Sequence, residues 1–221
     1  MTVLTSPAFR TGGMFGSPKI DLGGCVLYLP FWRPDMAGSP IISKDSSAHS
    51  CTVVGATWGL TGWTFDGADD YITVPHNACF DFGTGDFSWV VWFKATTTAS
   101  VHRILSKGDS EAFVVRINID TIEAYVGEGT VTKFAFTDTA SFHQLAITRT
   151  SGLVKVYLDL VEKFSGILAG NVDSATDLTI GIRHTLTEDF SGIVGEVSAY
   201  KRGRTLLEIT QNYLATKWGY I

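Results

Sequence analysis

Adjacent acidic residues are the first candidates for chemistry in this chain. Two carboxyl groups on one face of a strand can cleave a glycosidic bond, one as acid and the other as nucleophile. Such a pair requires acidic residues at alternate positions, because successive strand side chains point to opposite faces. Asp69-Asp70 and Glu188-Asp189 are adjacent instead. We interpret both pairs as turn residues, and the sequence predicts no catalytic carboxylates.

The sequence also lacks the common nucleophile, metal and phosphate motifs. It contains no Gly-x-Ser-x-Gly, His-Glu-x-x-His or Gly-x-x-x-x-Gly-Lys. Cys25, Cys51 and Cys79 form no Cys-x-x-Cys pair, so we expect no zinc site. We favour three free buried thiols over one disulfide with a third thiol left over. The five histidines are too far apart in sequence to suggest a ligand pair: His49, His76, His102, His143 and His184.

The charge balance excludes nucleic acid as a partner. The formal net charge is −5 and the pI is about 5.5, whereas binding to nucleic acid relies on a basic face. We interpret the densest basic run, Lys201-Arg202-Gly203-Arg204, as a solvated turn. Residues 1–7 have no signal-peptide pattern, and no apolar run reaches the roughly 18 residues of a membrane helix. We therefore expect no membrane insertion, and a protein that stays in the cytoplasm or joins a virion or cell-surface assembly.

The elements that position these side chains are predicted to be β-strands. Hydrophobic residues make up 45% and charged residues 18% of the 221 residues, which is enough apolar material for a sizeable core. Short apolar runs recur about every 8–12 residues between turn residues, and helical runs between them are missing, as in a β-sandwich. After a first strand signal within residues 19–32, the predicted strands are 87–95, 112–119, 121–126, 144–148, 154–158, 178–182 and 192–200.

One helix is predicted, close to the C-terminus. Thr205-Leu206-Leu207-Glu208 fits a capping box, in which the Thr and Glu side chains bond to free backbone N–H groups. The helix is expected to end near residues 217–219. Its apolar stripe, at spacings of three and four, consists of Leu206, Ile209, Tyr213 and Leu214.

The chain is predicted to be one domain preceded by an arm. Residues 1–18 are rich in Gly, Ser, Pro and Thr without periodicity, so we expect an extended N-terminal arm. No repeat or linker interrupts residues 19–221, which we expect to form a single β-sandwich.

Several stretches resemble the laminin-G-like family of the concanavalin A-like lectin and glucanase superfamily. Residues 65–74, Phe-Asp-Gly-Ala-Asp-Asp-Tyr-Ile-Thr-Val, are very similar to the family's Phe-Asp-Gly-x-Asp-Asp-Tyr-Val. Further similar stretches, in the family's order and covering about residues 22–218, are 44–58, 80–94, 104–108, 142–149, 156–159 and 190–200. The resemblance implies an all-β, two-sheet antiparallel jelly-roll sandwich (concanavalin A-like) with one short C-terminal helix. Phe65 and Tyr71 are expected to enter its core around a tight turn at Gly67.

The resemblance also implies a calcium site. Asp45 corresponds to the acidic residue of the family's first loop, and Glu196 to the acidic residue of a late strand; carboxylate oxygen is what calcium prefers. Two differences from the family's pattern argue against a calcium site. Gly195 stands where the family often has Asp, and residues 48–51 replace the family's Gly-Asn-Gly-Asn. The alternative for Asp45 is capping of its own loop.

The function implied by the resemblance is binding rather than catalysis. We expect a non-enzymatic attachment module that acts through surface binding or assembly. Residues 208–217 resemble the same part of laminin-G-like domains in phage and environmental-virus proteins, which favours a virion decoration or fibre protein. The alternative is a stand-alone carbohydrate- or protein-binding lectin-like domain, with a glycosidase third. Partners are then other protein subunits, in a homo-oligomer, capsid or fibre, or a glycan. For a glycan, exposed aromatic rings matter most, and the tryptophans near loop or terminal positions are Trp32, Trp58, Trp63 and Trp218.

Overall fold

A computed structural model describes residues 19–108, 112–127, 131–183 and 185–220. The predicted arm of residues 1–18 and His184 lie outside these ranges. One α-helix, α1, spans Leu206–Thr216. The strands are β1 Cys25–Leu29, β2 Ile41–Ile42, β3 Ser50–Val54, β4 Thr57–Gly59, β5 Gly62–Asp66, β6 Tyr71–Val74, β7 Phe87–Ala95, β8 Val101–Lys107, β9 Phe113–Asn118, β10 Thr121–Val126, β11 Val131–Ala135, β12 His143–Thr150, β13 Leu153–Leu158, β14 Val161–Ile167, β15 Leu178–Ile180 and β16 Ser191–Tyr200.

The strands form two antiparallel sheets. The first sheet has the order β14-β13-β12-β7-β16-β5-β4, and β1 pairs with the end of β16 beyond β5. The second sheet has the order β11-β10-β9-β8-β15-β6-β3-β2. The prediction of a two-sheet antiparallel sandwich with one short C-terminal helix is confirmed. Among the described residues, no helix has the length and apolar character needed to cross a membrane.

The main core lies between the two sheets, and alternation along β7 shows how it is built. Phe87, Trp89 and Phe93 point to the second sheet, and the Trp89 ring stacks on Phe113 with centroids 5.0 Å apart. Burial of each such ring stabilises the fold by about 2–3 kcal/mol. Trp92 lies on the other face of β7, where it contacts the C-terminal segment. Trp89 and Trp92 thus face opposite sides of the strand, because their positions in the chain differ by an odd number.

The turn between β5 and β6 is partly as predicted. Phe65 is fully buried, and Gly67 has a φ of +85°, which favours glycine. Tyr71 does not enter the core, contrary to expectation, and is only half-buried. The reason is the strand period: Ile72 and Val74 occupy the inward positions of β6, so Tyr71 faces the other way.

Helix α1 covers the outer face of the first sheet. Thr205 and Glu208 form the predicted capping box, and Ile209 packs on Val90, Ala146 and Tyr157. The predicted apolar stripe is wrong in part, because Leu206 and Leu214 are exposed. Their places against the sheet are taken by two polar residues, Asn212 and Thr216, which are buried.

The polar inner face of α1 is satisfied by hydrogen bonds. Asn212 accepts from the backbone N–H of Asp21 at 2.9 Å and donates to the Tyr200 hydroxyl at 3.1 Å. The interpretation of residues 201–204 as a solvated turn is wrong for Arg204, which is buried and donates to the backbone carbonyl of Asp21 at 2.9 Å. These bonds tie the start of the described chain to the helix.

The three cysteines are free thiols, as expected. Cys51 is buried, whereas Cys25 and Cys79 are half-buried, so the expectation of three buried thiols holds for Cys51 alone. Burial raises the pKa of the Cys51 thiol to about 12, which leaves it protonated and unreactive at neutral pH.

Candidate functional site

The outer face of the first sheet carries a layer of aromatic rings beside the C-terminal segment. Trp92 projects from β7, with its ring centroid 5.0 Å from that of Tyr213 and 4.6 Å from that of Tyr220. Its Nε1 donates to the Thr216 hydroxyl at 3.0 Å. The C-terminal segment is thereby fixed on the sheet.

Tyr220 is held in a notch that only a glycine provides. A Cβ atom at Gly195 would lie 2.2 Å from Cε1 of Tyr220, well inside van der Waals contact. The ring of Tyr220 also contacts the Phe142 ring, with centroids 5.1 Å apart. Its hydroxyl is buried and has no hydrogen-bond partner among the described residues. Gly195, where the resembling family often has Asp, is thus explained by the ring that fills its place.

A cleft of about 500 Å³ opens beside Tyr220. This volume is in the range of pockets that bind small ligands. Lys94, two residues after Trp92 on the same face of β7, lies at the cleft and is half-buried. The residues that line the cleft are Thr61, Lys94, Ala140, Ser141, Phe142, Gly219 and Tyr220.

One wall of the cleft is a short loop that His143 and two carboxylates hold in place. The Asp138 carboxylate accepts hydrogen bonds from the backbone N–H groups of Ala140 and Ser141, at 2.7 and 3.2 Å. The His143 ring lies between Asp138, at 3.3 Å, and Asp159, at 2.6 Å. Burial disfavours protonation of His143, but the bond to Asp159 and the two acidic charges outweigh it, so the pKa of His143 is raised. His143 therefore helps to shape this wall of the cleft.

Trp218 is the most exposed of the four tryptophans named from sequence. Its side chain is 64% exposed, and it meets Trp32 edge to face with centroids 5.2 Å apart. Trp63 is buried, and Trp58 is half-buried and donates to the Phe31 carbonyl at 2.7 Å. The Trp218 Nε1 donates to the Ala215 carbonyl at 2.7 Å, which fixes the indole on the C-terminal segment.

The predicted calcium ligand Asp45 acts as a loop cap. Its Oδ2 accepts from the backbone N–H of Tyr28 at 3.0 Å and its Oδ1 from that of Ser47 at 2.8 Å. The side chain is fully buried. These bonds use the oxygens that calcium would need, so the arrangement fits capping, the alternative drawn from the sequence, better than an ion.

The second predicted ligand, Glu196, lies under the aromatic layer. It is 4% exposed, and its Oε2 accepts from Trp32 Nε1 at 3.3 Å and from the Tyr28 hydroxyl at 3.4 Å. The pKa of Glu196 is raised to about 7 by burial, against the lowering effect of these two hydrogen bonds. Asp45 and Glu196 thus bond to opposite ends of Tyr28, its backbone N–H and its hydroxyl, and a shared calcium ion stays a prediction.

The remaining acidic residues named from sequence lie at turns. Asp69 and Asp70 have carboxylate oxygens within 4.8 Å of that of Asp66, but Asp70 accepts from the backbone N–H of Asp66 at 2.8 Å and caps this turn. Glu188 forms an ion pair with Arg103. The interpretation of both acidic pairs as turn residues agrees with these contacts.

The sequence did not identify the residues of the cleft. Lys94 could have been found, because it alternates with Trp92 on a predicted strand and so shares its face. Phe142 and Tyr220 could not, since they meet only through the folded sheet and carry no pattern of their own.

The sequence matches the model of a known protein family. A laminin G family model of the concanavalin A-like lectin/glucanases superfamily matches residues 66–210. The chain belongs to this family, as the sequence resemblance indicated. No curated protein matches the sequence.

Solved structures share the fold at low sequence identity. The botulinum neurotoxin serotype D binding domain superposes with a TM-score of 0.71 at 14% identity, over 89% of this chain and 55% of that chain. The serotype G binding domain gives a TM-score of 0.69 at 14% identity, over 86% and 50%. A Trypanosoma rangeli sialidase, in complex with 2,3-difluorosialic acid, gives 0.68 at 15%, over 90% and 34%. The chain therefore spans about half or a third of these proteins and shares their concanavalin A-like sandwich.

Proposed function

We propose that the protein is a non-enzymatic binding module that attaches to glycans through the cleft beside Tyr220. The observation that carries the proposal is the shape and lining of this cleft, about 500 Å³ with the rings of Phe142 and Tyr220 in its walls. Sugar rings stack their apolar faces on aromatic side chains, while nearby polar groups bind their hydroxyls. Thr61, Ser141 and Lys94 supply such polar groups.

The comparisons support this proposal at the level of the fold. The superfamily is described as lectin/glucanases, and the neurotoxin structures are binding domains. Because one of the similar structures is a sialidase, an assay for glycosidase activity is also needed. A fold carries many functions, so the argument for this chain rests on its own cleft.

The lining of the cleft favours binding over hydrolysis. A glycosidase of the usual kind needs two carboxyl groups about 5–10 Å apart at the scissile bond. The described residues that line this cleft include no carboxylate. A lectin-like role requires only the rings and hydrogen-bonding groups that are there.

The proposal is tested by screening the purified protein on a broad glycan array, followed by calorimetry on the best ligand. Phe142→Ala is expected to weaken binding at least tenfold, because it removes one ring of the wall. Leu207→Ala, an exposed apolar residue on α1, serves as the matched control and is expected to change nothing. Absence of binding across the array, or equal affinity for the Phe142 variant, would overturn the proposal.

We propose, second, that copies of the chain assemble through strand β14. This strand ends the first sheet and exposes Val161 and Ile167, by 57% and 70%. An uncovered edge strand offers free backbone N–H and C=O groups to another chain. Assembly of this kind would serve the virion decoration or fibre role, with other subunits as partners.

The native mass of the untagged protein tests assembly. An oligomer is expected for the full chain, and a monomer for Ile167→Lys, because a charge on the paired edge opposes association. A chain lacking residues 1–18 tests the proposed division into an arm and a sandwich of residues 19–221, since a monomer there would assign assembly to the arm. If the full chain is itself a monomer, the assembly proposal is abandoned.

A further inference from the structure

We propose that residues 1–18, the predicted arm, bind across the outer face of their own helix α1, with the Phe15 ring between Leu207 and Leu214. The proposal does not rest on glycan binding or on assembly through β14. It is drawn from the apolar side chains that α1 leaves exposed and from the place where the described chain begins.

Helix α1 has its polar and apolar faces reversed. A helix on the surface of a protein usually turns its apolar side chains inward and its polar ones to solvent. In α1 the side chains of Asn212 and Thr216 are buried, whereas Leu207 and Leu214 are 67% and 44% exposed. Neither leucine belongs to the apolar cluster that Ile209 forms with the sheet. This pattern is typical of a helix that is packed on its outer face as well.

The outer face forms a narrow, uncharged stripe. Four exposed residues follow one another at spacings of four, three and four, along one side of α1 and the turn after it: Leu207, Gln211, Leu214 and Trp218. The two leucines lie about 10 Å apart along the helix axis, at about 1.5 Å per residue. Between them, above the neutral Gln211, there is space for one aromatic ring.

The described chain begins beside this helix. Its third residue, Asp21, donates its backbone N–H to the Asn212 side chain at 2.9 Å. The Asp21 carboxylate also lies 2.9 Å from Arg202, which forms an ion pair with Glu208 of the first helical turn at 2.6 Å. Residues 1–18 therefore join the molecule at the flank of the first two turns of α1.

Phe15 is within reach of the space between the leucines. It precedes Asp21 by six residues, and an extended chain covers about 3.3 Å per residue, or about 20 Å in all. A helix with its side chains is about 10–12 Å across, so this length carries the chain from the flank of α1 to its outer face. Gly12, Gly13 and Gly16 lie close to Phe15 in sequence and have no side chains that would keep the backbone away from the helix.

The composition of the arm matches the face that it would cover. Arg10 is the only charged side chain in residues 1–18. A strongly charged segment would have to withdraw its charges from water, whereas this one loses little by binding to an uncharged face. Of the two phenylalanines, Phe9 and Phe15, the second is nearer to the anchor at Asp21, and a shorter connection costs less entropy to close.

A double-mutant cycle on the full chain, measured by urea unfolding, tests the contact. Phe15→Ala and Leu214→Ala are each expected to destabilise the protein, and their effects should not add, because both remove the same contact. The coupling should change the unfolding equilibrium constant by about threefold or more. Additive effects of the two substitutions would overturn the proposal.

The matched control is the cycle of Phe15→Ala with Leu60→Ala. Leu60 is 78% exposed in the turn between β4 and β5, away from the stripe on α1. The effects of this pair are expected to add. Coupling of equal size in both cycles would mean that Phe15 acts on the whole fold rather than on Leu214, and the proposed contact would be wrong.

Amide hydrogen exchange gives a second measurement that needs no substitution in the helix. A chain lacking residues 1–15 keeps the anchor at Asp21 but loses Phe15. Amides of α1 are expected to exchange about tenfold faster in this chain, and by a larger factor than those of β9 in the second sheet. Equal exchange of α1 in the two chains would contradict the proposal.

The dependence on protein concentration distinguishes the chain's own arm from the arm of another copy. A contact within one chain gives the same coupling between Phe15 and Leu214 at every protein concentration. Coupling that appears only at high concentration, together with a larger native mass, would place the arm on a neighbouring copy and exclude the contact within one chain.

Discussion

At the scale of single residues, two buried carboxylates do different things because their surroundings differ. Asp45 receives two backbone N–H groups, which fix a loop. Glu196 receives an indole and a phenol beneath aromatic rings, where burial dominates. One residue is a cap and the other is an acid whose charge is costly to bury.

Glu196 is expected to make stability fall as pH rises from about 4.5 to 7. The pKa of this group is raised from 4.5 to about 7 in the folded protein, so the folded state holds more protons than the unfolded state in that window. The cost is absent below the window and reaches about 3 kcal/mol above it. Glu196→Gln, measured by urea unfolding, should therefore be more stable than the native chain at pH 8 and similar at pH 4.

The control for this pH effect is Glu162→Gln, an exposed residue of β14. At pH 8 its difference from the native chain is expected to be small, because an exposed ion pair such as that of Glu162 with Lys155 contributes little to stability. A difference between the Glu196 variant and the native chain that does not change between pH 4 and pH 8 would show that Glu196 does not titrate in the window.

Asp45→Ala is expected to cost about 2 kcal/mol in the free energy of unfolding, because two backbone N–H groups lose their acceptor. The loss should be the same in calcium and in a chelator. Asp35→Ala, which removes an exposed carboxylate, is the control and should cost little. A loss seen only with calcium present would instead support the ion that the family resemblance implied at Asp45 and Glu196.

At the scale of elements, the docking of the C-terminal segment on β16 decides the shape of the cleft. Helix α1 leads the chain across the outer face of the first sheet, and the turn after it delivers Tyr220 to Gly195. Trp92 stacks against the same segment from β7. The cleft lies where β7, the loop of residues 140–142 and this terminal segment meet.

Gly195→Ala is expected to displace Tyr220 and to cost about 1–3 kcal/mol, since the added Cβ would lie 2.2 Å from the ring. Gly219→Ala is a matched control, because a Cβ there meets nothing within 4 Å. Urea unfolding measures both variants. Equal stability of the two would mean that Tyr220 does not depend on the notch.

Strands and helices with a clear pattern of hydrophobic residues were predictable from the sequence. Features that depend on contacts with residues distant in the chain were not. Strand β7 was predicted over its full length, Phe87–Ala95, because seven of its nine residues are apolar and five of them are consecutive. The strand predicted over residues 178–182 stops at Ile180, because Gly181 has a φ of +90°. The stripe of α1 was misjudged because Asn212 and Thr216 are buried by hydrogen bonds, which hydrophobic periodicity cannot register.

The same distinction applies to the candidate site. Asp45 and Glu196 were named through the family resemblance, and the structure gives each its own hydrogen bonds. The cleft was missed because its rings come from residues 142 and 220, far apart in sequence. Composition could supply the aromatic residues but not their meeting point.

At the scale of the whole molecule, the sandwich has one core between its sheets and a second, smaller one beneath α1. The smaller core joins Val90, Ala146 and Tyr157 of the first sheet to Ile209 of the helix. Without the helix, this face of the sheet would expose a contiguous apolar patch. The C-terminal segment is therefore part of the fold as well as of the cleft.

A chain ending at Arg204 is expected to lose cooperative unfolding and to bind a hydrophobic dye, because Trp92 and Val90 become exposed. A chain ending at residue 217 keeps α1 but lacks Trp218 and Tyr220, and should fold with reduced stability. Near-UV circular dichroism and thermal unfolding distinguish the two. Full cooperativity in the shorter chain would show that the sandwich is independent of its helix.

The exposure of Trp218 also gives the molecule a built-in optical signal. Its indole is 64% exposed, whereas Trp63, Trp89 and Trp92 are buried. Emission from Trp218 therefore comes from a watery environment and is open to collisional quenching by iodide, while emission from the buried indoles is shielded. A partner that covers this indole would shift and protect the quenchable part of the fluorescence, so contact with the C-terminal segment can be followed on the unlabelled protein.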